Sequence, residues 1–131
     1  MAMEHRPAVG DTVTHRVTVS PEMTARLFDR EVHPVYATAW MVRHAEEAGR
    51  LLVERHLGPH EDATGYRIDV THERPALVGD EVTVTVTVVE VDERACTAAF
   101  EVRTATAVVG HGVFVQRYVR RGVLGEDGRD G

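Results

Sequence analysis

The chain has 131 residues, 43% of them hydrophobic, a formal charge of −6 and one cysteine, a length that suits a single domain with a genuine core. All fifteen of its cations are arginine, which excludes lysine Schiff-base and pyridoxal chemistry and any phosphate loop built on a lysine. The negative charge, with no arginine cluster interleaved with aromatics, argues against nucleic acid as a partner. One cysteine makes neither an intramolecular disulfide nor a thiolate zinc site, and no apolar run approaches the roughly 18 residues of a membrane span. Without a secretory pattern in residues 1–10, the expectation is a cytoplasmic protein that acts on a small molecule and makes no membrane contact.

Residues 11–19 alternate around Val13, Val17 and Val19 and read as a first strand. Ser20-Pro21-Glu22 reads as a helix start, predicting a short helix with Met23, Leu27 and Val32 facing inward. His33-Pro34 ends it, because a residue before proline avoids the helical region. From Thr38 to about Leu57, apolar residues recur at Met41, Ala45, Ala48 and Leu52 and, one step round, at Val42, Gly49 and Val53, predicting an amphipathic helix stopped by Gly58-Pro59. Small residues at 45, 48 and 49 leave one stripe nearly bare, so a sheet can wrap closely around this helix.

Residues 65–72 predict a second strand, and residues 75–80 a turn. Val82, Val84, Val86 and Val88 alternating with threonines give the clearest strand signal. Asp92-Glu93 turns the chain into a fourth strand over residues 95–104, where Cys96 reads as a buried residue before a reactive one, and residues 108–119 supply a fifth. The glycine- and charge-rich residues 122–131 predict a disordered tail behind a single domain of residues 1–121. Short connections favour antiparallel neighbours, so the expected class is α+β, with an antiparallel sheet of about five strands wrapped around one long central helix.

Val35-Tyr36-Ala37-Thr38-Ala39-Trp40-Met41-Val42, Glu46, Gly65, Val70-Thr71-His72, Pro75 with Gly79, and Gly110-His111-Gly112 follow in an order that resembles the hot-dog-fold thioesterases, and within them the fluoroacetyl-CoA thioesterase branch. The resemblance runs almost without gaps from residue 35 to about residue 112. It implies a hot-dog homodimer, or a dimer of dimers, with sites at the subunit interface. It also implies an acyl thioester as substrate, no cofactor beyond the coenzyme A of that substrate, and a catalytic set of Thr38, Glu46 and His72.

Each of these residues has a plainer reading. Thr38 stands where a helix N-cap is wanted. Glu46 lies at the edge of the apolar stripe, where a carboxylate is a surface charge unless a partner encloses it and makes it a usable base. His72 reads alone as a polar strand-end residue. Together they suit thioester hydrolysis, which needs a carbonyl held against donors, a positioned water or carboxylate, and assistance to the departing thiolate. Glu46 is then general base or nucleophile, Thr38 its orienter or the hydroxyl nucleophile, and His72 the proton-handling partner. Direct water attack and an acyl-enzyme both stay open.

Gly65 lets an acyl group approach the backbone, and Tyr36 either lines an acyl pocket or fills the core. The branch's aromatic lid residues fall on Asp29-Arg30-Glu31-Val32, which leaves Val32 as the apolar lid residue. Its acyl-side arginine falls on Gln116, with Arg117 on the opposite face, and Val113 and Phe114 replace its usual threonine and histidine. A short or medium acyl group other than fluoroacetyl is therefore expected, on coenzyme A or a carrier protein. No metal site is expected: Gly58-Pro59 breaks the helix that would align His56 with His60, and His44 falls on the helix's polar side. The competing readings are a hot-dog hydratase or dehydratase, with Asp69 and His72 as its proton-transfer pair, and a non-catalytic acyl-thioester binding or self-resistance protein.

Overall fold

The computed structural model describes residues 3–124. Its elements in chain order are β1 (Thr12–Thr18), a single 3₁₀ turn (Pro21–Met23), β2 (Thr24–Leu27), β3 (Arg30–Tyr36), α1 (Thr38–Glu54), β4 (Glu61–His72), β5 (Glu81–Val91), β6 (Ala95–Arg103) and β7 (Val108–Arg120). Five strands form one antiparallel sheet in the order β1-β5-β6-β7-β4, while β2 and β3 form a separate hairpin. This is the expected α+β arrangement of an antiparallel sheet around a single helix. Residues 125–131 of the expected tail lie outside the described residues.

The core follows from two periodicities. Val82, Val84, Val86 and Val88 on β5 are at most 1% exposed and face α1, and the intervening threonines point away. Each such valine contributes about 2 kcal/mol on burial. From the helix, Met41, Ala45, Ala48, Gly49, Leu52 and Val53 fill the concave face of the sheet. Cys96 is buried within β6, and its environment pushes the thiol pKa up to about 11, chiefly through desolvation.

The short helix expected after Ser20 is the main departure. Its start signal holds for one turn, and the chain then runs into the β2–β3 hairpin, whose two-residue turn places both Phe28 (φ 55°) and Asp29 (φ 61°) in the left-handed region. Val32, expected to face inward, is instead 42% exposed on β3, and Leu27 and Phe28 are more exposed still. Pro34 sits within β3, which a two-stranded ribbon tolerates because one edge needs no ladder donor.

Two smaller differences concern length. The helix ends at Glu54 rather than near Leu57. Strand β4 begins four residues earlier than expected, at Glu61, because Arg6 grips its start: the guanidinium makes paired contacts of 2.8 and 3.1 Å to the Glu61 carboxylate, reaches the Asp92 and Glu93 carbonyls, and lies 3.6 Å over the Tyr118 ring.

Candidate active site

Thr38 is the first residue of α1, and the N-cap is Ala37, in extended conformation without a side-chain cap. The threonine hydroxyl is therefore not spent on capping, contrary to the plainer reading. It is hydrogen-bonded instead to His72 Nδ1 at 2.8 Å, across 34 residues of chain. The first helical acceptor bond runs from Met41 N–H to the Ala37 carbonyl, so the amides of Thr38, Ala39 and Trp40 project from the helix end beside this pair. His72 Nε2 is buried without a hydrogen-bond partner among the described residues, and burial holds the ring's pKa below the usual histidine value. A neutral imidazole can take a proton from the hydroxyl or return one to a leaving group.

Glu46 lies two turns further along α1, about 12 Å from Thr38 by helical rise. Its neighbour is Gly65 on β4: a Cβ built on Gly65 would lie 3.1 Å from Glu46 Oε2. Gly65 is paired with Gln116 on β7, and the register then shifts so that Arg67 faces Val115, leaving Tyr66 as the extra residue of a bulge. Glu46 and Gly65 line an open cleft of about 570 Å³ together with Ala63, Phe114, Gln116 and Leu51, and with His15, Arg43, Glu47 and Arg50 on its rim. The two rim arginines are already engaged, Arg43 with Glu47 at 3.5 Å and Arg50 with Asp62 at 2.7 Å and Glu54 at 3.3 Å.

The chain thus makes two clusters, Thr38 with His72 and Glu46 with Gly65. Gln116 joins the second; it is 4% exposed, and its amide donates to the Gly49 carbonyl at 2.9 Å. Tyr36 supports the first. Its ring stands edge-on to His72 at 6.3 Å, and its hydroxyl is hydrogen-bonded to His44 Nδ1 in the interior. Val32 joins neither cluster.

His44, expected on the polar side, is only 3% exposed. It stacks on Tyr36, lies 5.6 Å from the Trp40 ring and meets His15 edge-on at 5.8 Å, and His15 contacts Glu47 at 3.0 Å. Burial lowers the His44 pKa and raises that of Tyr36, so both are neutral near pH 7. Helical spacing puts His44 on the apolar stripe, three residues after Met41 and four before Ala48, but its residue type reads as polar and its partner Tyr36 comes from another element. Among the described residues no group of three or more His, Cys, Asp or Glu side chains is placed to hold a metal ion, and no helix is long and apolar enough to cross a membrane.

Comparison with known proteins bears on this geometry. Residues 19–121 match the family model of the fluoroacetyl-CoA-specific thioesterase FlK. A Thermus thermophilus protein described as a thioesterase superfamily member has a solved structure that superposes with a TM-score of 0.87, at 30% identity over 94% of this chain and 91% of its own. The fluoroacetyl-CoA thioesterase FlK itself superposes at 0.84, with 26% identity over 94% and 96% of the two chains. A hot-dog-like protein from Thermanaerovibrio acidaminovorans, 20% identical over 95% and 92%, shares the fold at 0.82. A search of curated proteins gives no match. With four-fifths of its length on the family model and its single helix wrapped by an antiparallel sheet, the chain belongs to the fluoroacetyl-CoA-specific thioesterase family, hydrolases of hot-dog fold.

Proposed function

We propose that this protein hydrolyses a short acyl thioester of coenzyme A or of a carrier protein, at a site that two subunits build together. The observation that carries the reading is the Thr38–His72 hydrogen bond at the open end of α1, where a hydroxyl, an imidazole and free amides converge. Solved structures of single-substitution variants of FlK hold acetyl-CoA, or fluoroacetate and CoA.

The dimer supplies what one protomer lacks. Strand β4 is twelve residues long and ends the sheet, so its outer edge has no partner strand among the described residues, a feature that proteins cover or pair. Antiparallel pairing of this edge with its copy, centred near Ile68, sets His72 against the stretch around the partner subunit's Gly65, and so brings the Thr38–His72 pair to the partner subunit's Glu46. A thioester carbonyl held against the helix-end amides is then attacked by water that gives its proton to Glu46. Collapse of the tetrahedral adduct breaks the C–S bond, and the thiolate takes a proton through His72, leaving a carboxylic acid and a free thiol. Attack by Glu46 or Thr38 itself, through an acyl-enzyme, uses the same placement. In the hydratase reading Asp69 would pair with His72, but its carboxylate is with Arg67 at 3.2 Å.

Subunit complementation tests the whole proposal. Glu46→Ala and His72→Ala should each abolish thiol release, with losses of about 10²-fold or more. Mixed and allowed to exchange, the two inactive proteins should recover about a quarter of wild-type activity, because half the dimers are mixed and each mixed dimer carries one intact composite site. Zero recovery in a mixture shown to exchange would place all three residues in one protomer. A monomer in sedimentation would remove the composite site altogether.

A further inference from the structure

The cleft beneath Glu46 has a floor that no hydrogen bond or charge explains, and it is a single phenyl ring. Phe114, on β7, is 3% exposed and faces Ile68 on β4 and Ala98 on β6. It lines both the 570 Å³ cleft and a second concavity of about 220 Å³ bounded by Tyr66, Arg67 and Ile68; Glu46 and Gly65 are the other residues common to the two. The ring is therefore a wall common to both spaces beside the carboxylate.

It is also backed on one side and bare on the other. A Cβ added to Gly49 on α1 would come within 2.6 Å of Phe114 Cδ2 and 2.7 Å of Cε2, so the ring is pressed against bare helix backbone and has nowhere to recede. On the other side, a Cβ on Gly65 would meet Cε1 at 3.5 Å and Cζ at 3.6 Å. The glycine at 65 exposes the ring edge to whatever sits beside Glu46, and the glycine at 49 stops the ring from yielding.

Building on the thioesterase reading, we infer that Phe114 is the specificity-determining residue of this site, a rigid stop that restricts the substrate to acyl groups of a few carbons. A carbonyl carbon presented to Glu46 has its acyl chain over Gly65, and the carbons beyond it meet the phenyl edge. A longer or aromatic acyl group can be seated only by displacing a ring that the helix backbone blocks.

The test is thiol release across a straight-chain series from acetyl- to decanoyl-CoA, by wild type, Phe114→Leu and Phe114→Ala, with the fold checked by circular dichroism. Wild-type kcat/KM should fall by the hexanoyl ester. In both variants the optimum should move to longer chains, with kcat/KM rising about fourfold for each methylene accepted into the vacated space. The leucine variant keeps most of the core volume, so its profile decides the matter if the alanine variant does not fold. Equal wild-type turnover of acetyl and decanoyl esters would overturn the inference, as would folded variants whose chain-length profile matches wild type. Either result leaves the thioesterase reading standing. No thiol release by wild type from any ester would instead remove that reading and the inference with it.

Discussion

The buried Tyr36–His44 pair offers a double-mutant cycle whose outcome is set by where the two groups lie. Tyr36 is 1% and His44 3% exposed, so neither can turn to water when its partner is removed. Tyr36→Phe leaves His44 Nδ1 unsatisfied at a cost of about 2 kcal/mol, and His44→Leu leaves the phenol hydroxyl unsatisfied at a similar cost, with some packing against Trp40 and His15 lost as well. The double variant replaces both polar partners by apolar groups and should be only about 1 kcal/mol less stable than wild type, a coupling of about 3 kcal/mol. Urea denaturation at pH 7.5, with slopes compared to verify that the denatured state is unchanged, measures all four corners. In thermal melts each single change should lower Tm by about 8 °C, at about 4 °C per kcal/mol for a chain of this size. Additivity within about 0.5 kcal/mol would refute the reasoning, since it would mean that the hydroxyl and the imidazole do not satisfy each other.

Stability should also fall in mild acid. The folded-state pKa values of His44 and His72 lie below the unfolded value near 6.5, so the unfolded chain binds the extra protons; their contribution is complete above that value and is lost as pH drops through it. Urea titrations between pH 7 and 5.5 should show this loss, and His44→Leu should make it smaller; a stability unchanged over that range would mean that neither ring resists protonation in the folded state. Gly112→Ala should abolish soluble expression or cost about 4 kcal/mol or more, because its new Cβ would meet the Asp69 carbonyl oxygen of β4 at 1.9 Å, a backbone atom that the ladder prevents from moving. A soluble Gly112→Ala protein with wild-type Tm would show that the two strands separate more readily than their pairing implies. Arg6→Ala should destabilise by about 3 kcal/mol by taking the guanidinium from the Glu61 carboxylate and from the carbonyls of His5, Asp92 and Glu93, and a change below about 0.5 kcal/mol would reduce the clamp to a surface contact.

How far the sequence reaches depends on whether the forces at a position are local. The valine–threonine alternation of β5 and the bare stripe at Ala45, Ala48 and Gly49 are local patterns, and both appear in the structure as read. The β2–β3 hairpin is hidden in the sequence because Ser20-Pro21-Glu22 does begin a helical turn, while the hairpin's own turn uses Phe28 and Asp29 in place of the glycine or asparagine that usually marks one. The start of β4 is illegible locally, since Glu61 and Asp62 are acidic and each is held by an arginine distant in sequence, Arg6 or Arg50. His44 reads as polar by residue type, and only the arrival of Tyr36 from β3 makes its burial tolerable. The proximity of Thr38 to His72 and of Glu46 to Gly65 was not visible in spacing, since the positions are 34 and 19 residues apart. It entered through the resemblance to a family, which carried the residues but not the separation between the two clusters.

Cys96 bears on every thiol-release assay named above. Thiol release is read with reagents that react with thiolates, and the protein's own thiol is 1% exposed with its pKa pushed up to about 11. In the native state it should therefore stay silent, so colour developed during turnover counts product alone. Once denaturant opens the sheet, one equivalent per chain should appear, and the reagent that follows the chemistry then reports how much of the sample is folded.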